Sequence, residues 1–567
     1  MTSADVTKLV GSPGSGKTTK LLEFVEREAE THGTDYSDLM FLTFSRSARQ
    51  EAATRIIDIY PDEDEEDVMG RVKTVHGAAL ISCLIDGAME MRSEDDPNDT
   101  GQLVITEDRD NGLEYFSWFF ETNFPTIRYD ESENDPIAQL NEGDASGIAT
   151  GNKAIAVYDY LKSKNWPLSK HHRAPFDLEL DPETTMEVLE SWDSYKQRND
   201  LMQHDDYVEL ALERNCIPPV SVLIIDEFQD LSPLQTALYE QWRDSGHIDR
   251  IYIAGDSNQA VYGFRGAEPT YFQRTSVDEV VHHEESKRCP EAVIDAAVPI
   301  AEPIPEHDIS RVTAWRDGGR VRHVDADGPH ELSALVEEGL RNLPDSDSDE
   351  LYLLARTNRQ AGKIAYGLRE GGVPYLDLKP NGPLRRWRQP LPMILSGMQA
   401  VGDGRHLPLP VARALLKNTS RSPVREAAQK RAADGGLSAT QRIRGAVITQ
   451  EEYREWFPDV EQARDLVPEL SVDSWQRELI KGALRSGATH RPGQVRVGTI
   501  HAAKGLESPH VFVFPAYTHK QMERFENGDE AEERRLFYVA MTRASERVEV
   551  VHDYFGGDKE FPPLARL

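Results

Sequence analysis

Short apolar-rich runs recur along the chain, at Val6–Val10, Met40–Phe44, Val222–Ile225 and Ile251–Ala254, then at Leu351–Ala355, Val495–Ile500 and Val511–Phe514. Each has the length of a strand buried on both faces. The stretches between them carry apolar residues at helical spacing, as in Leu21, Leu22, Phe24 and Val25. Strand-length runs alternating with helical periodicity predict an α/β fold of parallel sheets with crossover helices. Two such sheets are expected, each interrupted. The first is split by an insertion over 77–190, rich in Asp, Glu, Asn and aromatic residues; the second by a helical, Arg-rich insertion over 390–490. No run approaches the roughly 20 apolar residues of a membrane-spanning helix. No basic-then-apolar leader opens the chain, so a soluble cytoplasmic protein is expected.

Composition changes this picture in three ways. A length of 567 residues exceeds what one core organises and predicts about four domains. Cys83, Cys216 and Cys289 are too few and too scattered for a disulfide framework, a zinc site or an iron–sulfur cluster, and are expected as buried thiols. The net charge of −34 argues, taken by itself, against a nucleic-acid partner. The acids gather in the runs Asp62–Asp67, Glu94–Asp99 and Asp345–Glu350, expected as solvated faces, and arginine outnumbers lysine. This pattern resembles the surfaces of halophilic proteins. At 1 M salt the Debye length is about 3 Å, so overall charge does not exclude DNA and local residues must decide.

The chemistry starts at Gly11-Ser12-Pro13-Gly14-Ser15-Gly16-Lys17-Thr18-Thr19, between an expected strand and an expected helix. This is the GxxxxGK[ST] phosphate loop. Glycines let backbone N–H groups close on phosphate oxygens, and the helix N-terminus adds its dipole. Lys17 is expected on the β/γ-phosphates and Thr18 on Mg²⁺. Val222–Ile225 followed by Asp226 and Glu227 places two acids where a buried strand ends, the ligand side of an open α/β sheet. Asp226 is expected to hold Mg²⁺ through water, and Glu227 to act as general base on the attacking water.

Further segments resemble, in order, the motifs of superfamily 1 helicases of the UvrD/Rep group. They are Thr43–Ala48, Thr74–Gly77, Ala254–Ala267, Arg288, Arg356–Asn358, Thr499–Glu507 and Glu533–Ala544. The resemblance covers nearly the whole chain. It implies two RecA-like motor domains, 1–76 with 191–285 and 286–389 with 491–567, and accessory insertions at 77–190 and 390–490. It implies an ATP- and Mg²⁺-dependent motor on single-stranded DNA and on junctions with duplex, moving 3′ to 5′, with ATP hydrolysed in the cleft between the motor domains. Gln259 is then expected to sense the γ-phosphate, with Arg288 and Arg543 approaching from the second domain as arginine fingers. Gly505 and Glu507 join the nucleotide site. Phe44, Tyr262 and Phe264 are expected as the aromatic platform for unpaired bases. Thr74, His76, Arg356, Thr499 and His501 are expected on the phosphodiester backbone, where they fix position without reading sequence.

Two departures bear on base selectivity. No glutamine precedes Gly11, and Lys287 stands before Arg288 where the family carries a tyrosine that stacks on adenine. Relaxed nucleotide selectivity is expected. Motif III carries Phe264 in place of a common tryptophan. Arg421, Arg425, Arg431, Arg442 and Arg444 form a candidate duplex contact weighed against a solvated face. Only about twenty residues follow the last motif, so no nuclease segment is expected. The alternative readings are an RNA-directed or 5′-to-3′ motor of the same superfamily, and a P-loop switch that does not translocate.

Overall fold

The computed structural model describes residues 3–44, 46–60, 63, 65–91, 102–105, 110–131, 137, 140, 147–176, 178–305, 312–343, 350–379, 390–420, 447–485, 494–556 and 559–565. The acidic run Glu94–Asp99, most of Asp345–Glu350, part of Asp62–Asp67, Ser45 of the second motif, and the five arginines between 421 and 444 lie outside the described residues. The chain forms two compact units. One comprises Met1–Gly318 with Lys520–Thr542, the other Gly319–His519 with Arg543–Leu567.

The first unit is built on a six-stranded parallel sheet. Its strands are β1 (Asp5–Gly11), β2 (Leu39–Leu42), β3 (Val72–Lys73), β4 (Val222–Ile225), β5 (Arg250–Gly255) and β6 (Glu279–His283), in the spatial order β3-β2-β4-β5-β1-β6. Alternate residues of these strands enter two different cores. Leu9, Phe41, Val222, Ile224 and Ala254 pack with Leu21, Val25 and Ile56 on one face. Val6, Met40, Leu42, Leu223, Ile225 and Ile253 pack with Leu234, Leu238 and Trp242 on the other. Strands with apolar residues on both alternating faces are what a sheet covered on both sides requires. Burying each such side chain contributes about 1.5–3 kcal/mol. β4 lies between β2 and β5, so Asp226 and Glu227 emerge beside the end of β1 across only one intervening strand.

The phosphate loop leads into α1 (Lys17–Arg27), whose N-cap, Gly16, takes the left-handed conformation at φ 88°. Two further helices, α2 (Val75–Ile85) and α5 (His204–Arg214), pack together. Between them the inserted segment buries its own aromatic core of Phe116, Phe119, Phe120, Tyr158 and Trp192. That core is carried partly by α3 (Thr150–Ser163) and α4 (Pro182–Arg198).

The second unit repeats the plan: β7 (Arg320–Asp325), β8 (Leu351–Ala355), β9 (Leu376–Asp377), β10 (Val495–Thr499), β11 (Ser508–Val513) and β12 (Ala544–His552), ordered β7-β12-β11-β8-β10-β9, all parallel. Its core runs continuously from Leu351, Leu353, Val495 and Phe512 into Ile394, Met398, Leu415, Tyr453 and Ile480 of the helices over 391–485. No helix among the described residues is long and apolar enough to cross a membrane. The expected break between motor domains at 286 differs from the division seen here. The segment 286–318 and α6 (Glu530–Met541) group with the first unit.

Candidate functional site

At the C-terminal end of the first unit's sheet the P-loop wraps over α1. Gly14 stands at φ 66°, and a Cβ there would meet the Arg288 Cβ at 2.3 Å. A Cβ at Gly11 would meet the Lys17 and Ser15 side chains at 2.5–2.7 Å. The loop is braced by the segment that follows β6. The Ser12 N–H donates to the His283 carbonyl (3.1 Å), the Ser12 hydroxyl to the Glu284 carbonyl (2.9 Å), the Ser286 hydroxyl to the Pro13 carbonyl (2.6 Å) and the Lys287 N–H to the Gly14 carbonyl (3.0 Å). The Lys17 ammonium donates to the loop's own carbonyls at Gly11 and Ser12, both 3.2 Å. The Ser15 hydroxyl is fully buried with no hydrogen-bond partner among the described residues. Such a cradle is short of acceptors for its donors, and phosphate oxygens supply them.

Opposite the loop, the Thr18 hydroxyl donates to Asp226 Oδ2 at 2.6 Å, and the Glu227 N–H donates to Asp226 Oδ1 at 2.9 Å. Burial, reinforced by the neighbouring Glu227 carboxylate, pushes the Asp226 carboxyl up to about 6, against the pull of the Thr18 hydrogen bond and Lys17. A hydroxyl touching a buried carboxylate is an all-oxygen donor pair suited to a hard divalent cation. Thr18 and Asp226 therefore fit the Mg²⁺ expected there. Glu227 holds a left-handed backbone at φ 56°, and its carboxylate accepts from the Gln229 side-chain amide. The carbonyl of that amide receives the Asp256 N–H at 3.0 Å. The Gln259 amide in turn donates to Asp256 Oδ2 at 2.7 Å, and burial holds the Asp256 carboxyl above its ordinary range. Glu227, Gln229, Asp256 and Gln259 thus form one hydrogen-bonded chain, from the expected base to the expected phosphate sensor.

Arg288 lies in this same unit, against Gly14, with Nη1 donating to the Thr542 carbonyl at 3.4 Å. The sequence reading set it across a cleft; the structure attaches it to the P-loop. Thr542 directly follows α6, and the Cys289 thiol also donates to its carbonyl. Arg535 on α6 is largely buried, which lowers its pKa, and it donates from Nε to the Ser257 carbonyl at 3.0 Å. Neither Arg535 nor Gln229 was singled out from the sequence, although Arg535 sits inside the motif Glu533–Ala544 and Gln229 lies two residues after Glu227. Their spacing signals a motif but not a partner.

The expected nucleic-acid residues of this unit divide by exposure. Phe44 is 36% exposed, and its ring stacks on Tyr262 with centroids 5.0 Å apart and planes at 19°. Phe264 is 5% exposed, its ring 6.2 Å from that of Tyr262 and tilted at 57° to it, with Arg265 over its own ring. Thr74 is the N-cap of α2, accepting from the Gly77 N–H at 3.1 Å. His76 is held by Asp205 (3.0 Å) and Gln235, contacts from α5 and from the helix Pro233–Asp244 that no sequence signal announces.

In the second unit, Thr499 closes β10, and its hydroxyl accepts from the Ala502 N–H at 3.3 Å at the entry to the turn His501–Ala503. Gly505 is left-handed at φ 81°, and Glu507 is exposed. Arg356 follows β8 and is 2% exposed. Arg543 is 1% exposed and donates from Nη1 to the Leu506 carbonyl at 3.2 Å, while its own carbonyl receives the Ser508 N–H. Arg543 is thereby fastened to the segment carrying Gly505 and Glu507.

Residues 2–279 match the family description "UvrD/REP helicase N-terminal domain", and residues 460–551 match "UvrD-like helicase C-terminal domain". Among similar proteins, the ATP-dependent DNA helicase UvrD2 of Mycobacterium tuberculosis is 27% identical over 403 residues, 65% of this chain and 54% of that one. DNA helicase II of Escherichia coli is 25% identical over 411 residues, 58% of this chain and 55% of that one. The ATP-dependent DNA helicase UvrD1 of M. tuberculosis is 24% identical over 660 residues, 96% of this chain and 79% of that one. Against UvrD2 and DNA helicase II, the chain spans about half of the relative's length.

Proposed function

The chain belongs to the UvrD/Rep family of superfamily 1 helicases, and we propose that it hydrolyses ATP with Mg²⁺ to move 3′ to 5′ along single-stranded DNA and separate duplex. The observation that carries the reading is the chain Lys17, Thr18–Asp226, Glu227–Gln229–Asp256–Gln259 in the same unit as the exposed Phe44–Tyr262 stack. A binding switch needs the cradle alone. It does not need a base wired to a phosphate sensor, nor a stacked aromatic face that accepts any base.

In this reading the phosphates take Lys17 from the Gly11 and Ser12 carbonyls. Thr18 and Asp226 would hold Mg²⁺, which would supply charge neutralisation to the phosphates. Glu227 accepts the proton of the attacking water, a role worth about 10²–10⁴ in rate. Gln259 reads the γ-phosphate, and its state reaches Glu227 through Asp256 and Gln229. Arg288 and Arg543 act on the transferring phosphoryl group as fixed planar donors. Thr74, His76, Arg356, Thr499 and His501 hold the backbone of the strand.

DNA-stimulated hydrolysis by the wild type and Glu227→Gln, at low and molar salt, tests this. The expected result is stimulation by single-stranded DNA and a loss of about 10²–10⁴ in the variant with ATP still bound. Absence of stimulation by DNA or RNA under every condition refutes the motor. Strand separation on duplexes tailed at either end decides polarity.

A further inference from the structure

The segment Lys164-Asn165-Trp166-Pro167-Leu168-Ser169-Lys170-His171-His172-Arg173 holds three cations and two histidines and no acid, in a chain whose acids outnumber its cations 98 to 64. It begins where α3 ends and winds into a short helical turn, Leu168–Arg173. Lys170 and Arg173 close on one side chain: their cationic centres lie 5.4 and 5.9 Å from the Trp166 ring centroid. Among the described residues, neither cation is in an ion pair. An aromatic ring orients a cation without neutralising it, so both keep their charge for an external partner.

The position of this segment indicates the partner. The Ser163 hydroxyl occupies the space beside Gly266, where a Cβ would come within 2.2 Å of it, and the Gly266 backbone, at φ 94°, is one L-residues rarely adopt. Lys164 pairs with Glu268 at 3.3 Å. Both contacts fasten the basic segment to the stretch that begins at Tyr262, the ring stacked on Phe44. The segment is therefore anchored, within the same unit, to the stretch that follows the aromatic platform in the chain. Because Lys170 and Arg173 already approach Trp166, a base stacking on that ring would compete with them. The chemistry offered is cationic, directed at phosphate.

We propose that Lys170 and Arg173, held by Trp166, bind the phosphodiester backbone of the single strand running beyond the Phe44–Tyr262 platform. The proposal rests on the single-strand reading above and adds a contact outside the residues that reading uses. It also offers a strongly acidic chain a way to hold DNA, with positive charge kept local.

The test is fluorescence anisotropy with a labelled oligothymidylate, titrated across about 0.2–1 M KCl. Each phosphate contact on a single strand contributes about 0.7 to the slope of log affinity against log salt. Lys170→Gln/Arg173→Gln is expected to flatten the slope by about 1.4 and, at about 0.1 M salt by extrapolation, to weaken binding about 25-fold relative to wild type. Lys170→Arg/Arg173→Lys, which keeps both charges, is expected to retain the wild-type slope. An unchanged slope in the neutral variant, with wild type binding DNA normally, overturns the proposal and leaves the motor intact. A neutral variant that loses affinity without a change in slope also overturns it, because that marks a structural effect. If the wild type neither binds DNA nor responds to it in hydrolysis, the functional reading falls and the proposal with it.

Discussion

Replacing Asp226 by asparagine should stabilise the first unit while abolishing hydrolysis. Asp226 is 5% exposed, at the end of a strand buried on both sides. Burial and the adjacent Glu227 carboxylate move its pKa from the ordinary 3.8 to about 6. A carboxyl whose folded pKa lies above its unfolded value binds its proton more tightly when folded, so folding opposes its ionisation. That cost is absent below about pH 4, grows between about pH 4 and 6 and levels off above about pH 6 to 7. About two pH units at 1.36 kcal/mol each give a ceiling of about 3 kcal/mol. Asparagine removes the charge and keeps the local bonds: its carbonyl accepts the Glu227 N–H, and the Thr18 hydroxyl rotates to accept from the amide. The expected gain near pH 7.5, without nucleotide or Mg²⁺, is about 1–3 kcal/mol, read from the shift of the urea midpoint and shrinking as the pH falls toward 4. Mg²⁺ should raise the wild-type midpoint and leave that of the variant in place. A variant less stable than wild type at pH 7.5, or a difference that does not depend on pH, refutes the reasoning.

Other substitutions test the neighbouring geometry. Tyr262→Ala removes the ring on which Phe44 stacks and should weaken binding of single-stranded DNA by about 1–3 kcal/mol, measured by anisotropy. Gly14→Ala drives a Cβ to 2.3 Å from Arg288 at a backbone of φ 66° and should abolish nucleotide binding. Gly33→Ala, at φ 64° with open space around it, should cost only about 1–2 kcal/mol of stability and leave nucleotide binding unchanged. Glu28→Gln removes the charge of a fully buried carboxylate that accepts from Arg250, Tyr252 and Thr34 and turns one of its two acceptor oxygens into an amide donor facing Arg250, and should lower stability by about 2–4 kcal/mol in urea denaturation. Burial alone would raise the Glu28 pKa, but those donors outweigh it and lower it. The stabilisation it gives is therefore present above the ordinary carboxylate range, near 4.5, and is lost as the pH falls through the lower folded value.

The sequence by itself determined what depends on residue type and order along a strand or turn. Short runs rich in apolar residues on both alternating faces marked β1, β2, β4, β5, β8, β10 and β11 as buried parallel strands, because a sheet covered on both faces has no side that must stay polar. Glycine spacing ahead of Lys17 marked the cradle, because a loop that aims N–H groups inward needs backbone angles other residues resist. The edge strand β6 was not legible: its Glu279–His283 pattern is largely exposed and reads as polar.

Only the tertiary structure decided which distant side chains meet. It placed Arg288 on the P-loop, tied Arg535 to the Ser257 carbonyl, set Asp205 and Gln235 on His76, and buried Phe264 while leaving Phe44 exposed. These outcomes depend on how helices and loops from separate parts of the chain pack against one sheet. A burial pattern repeated every two or nearly four residues records which way a side chain points, and carries no record of what stands opposite it.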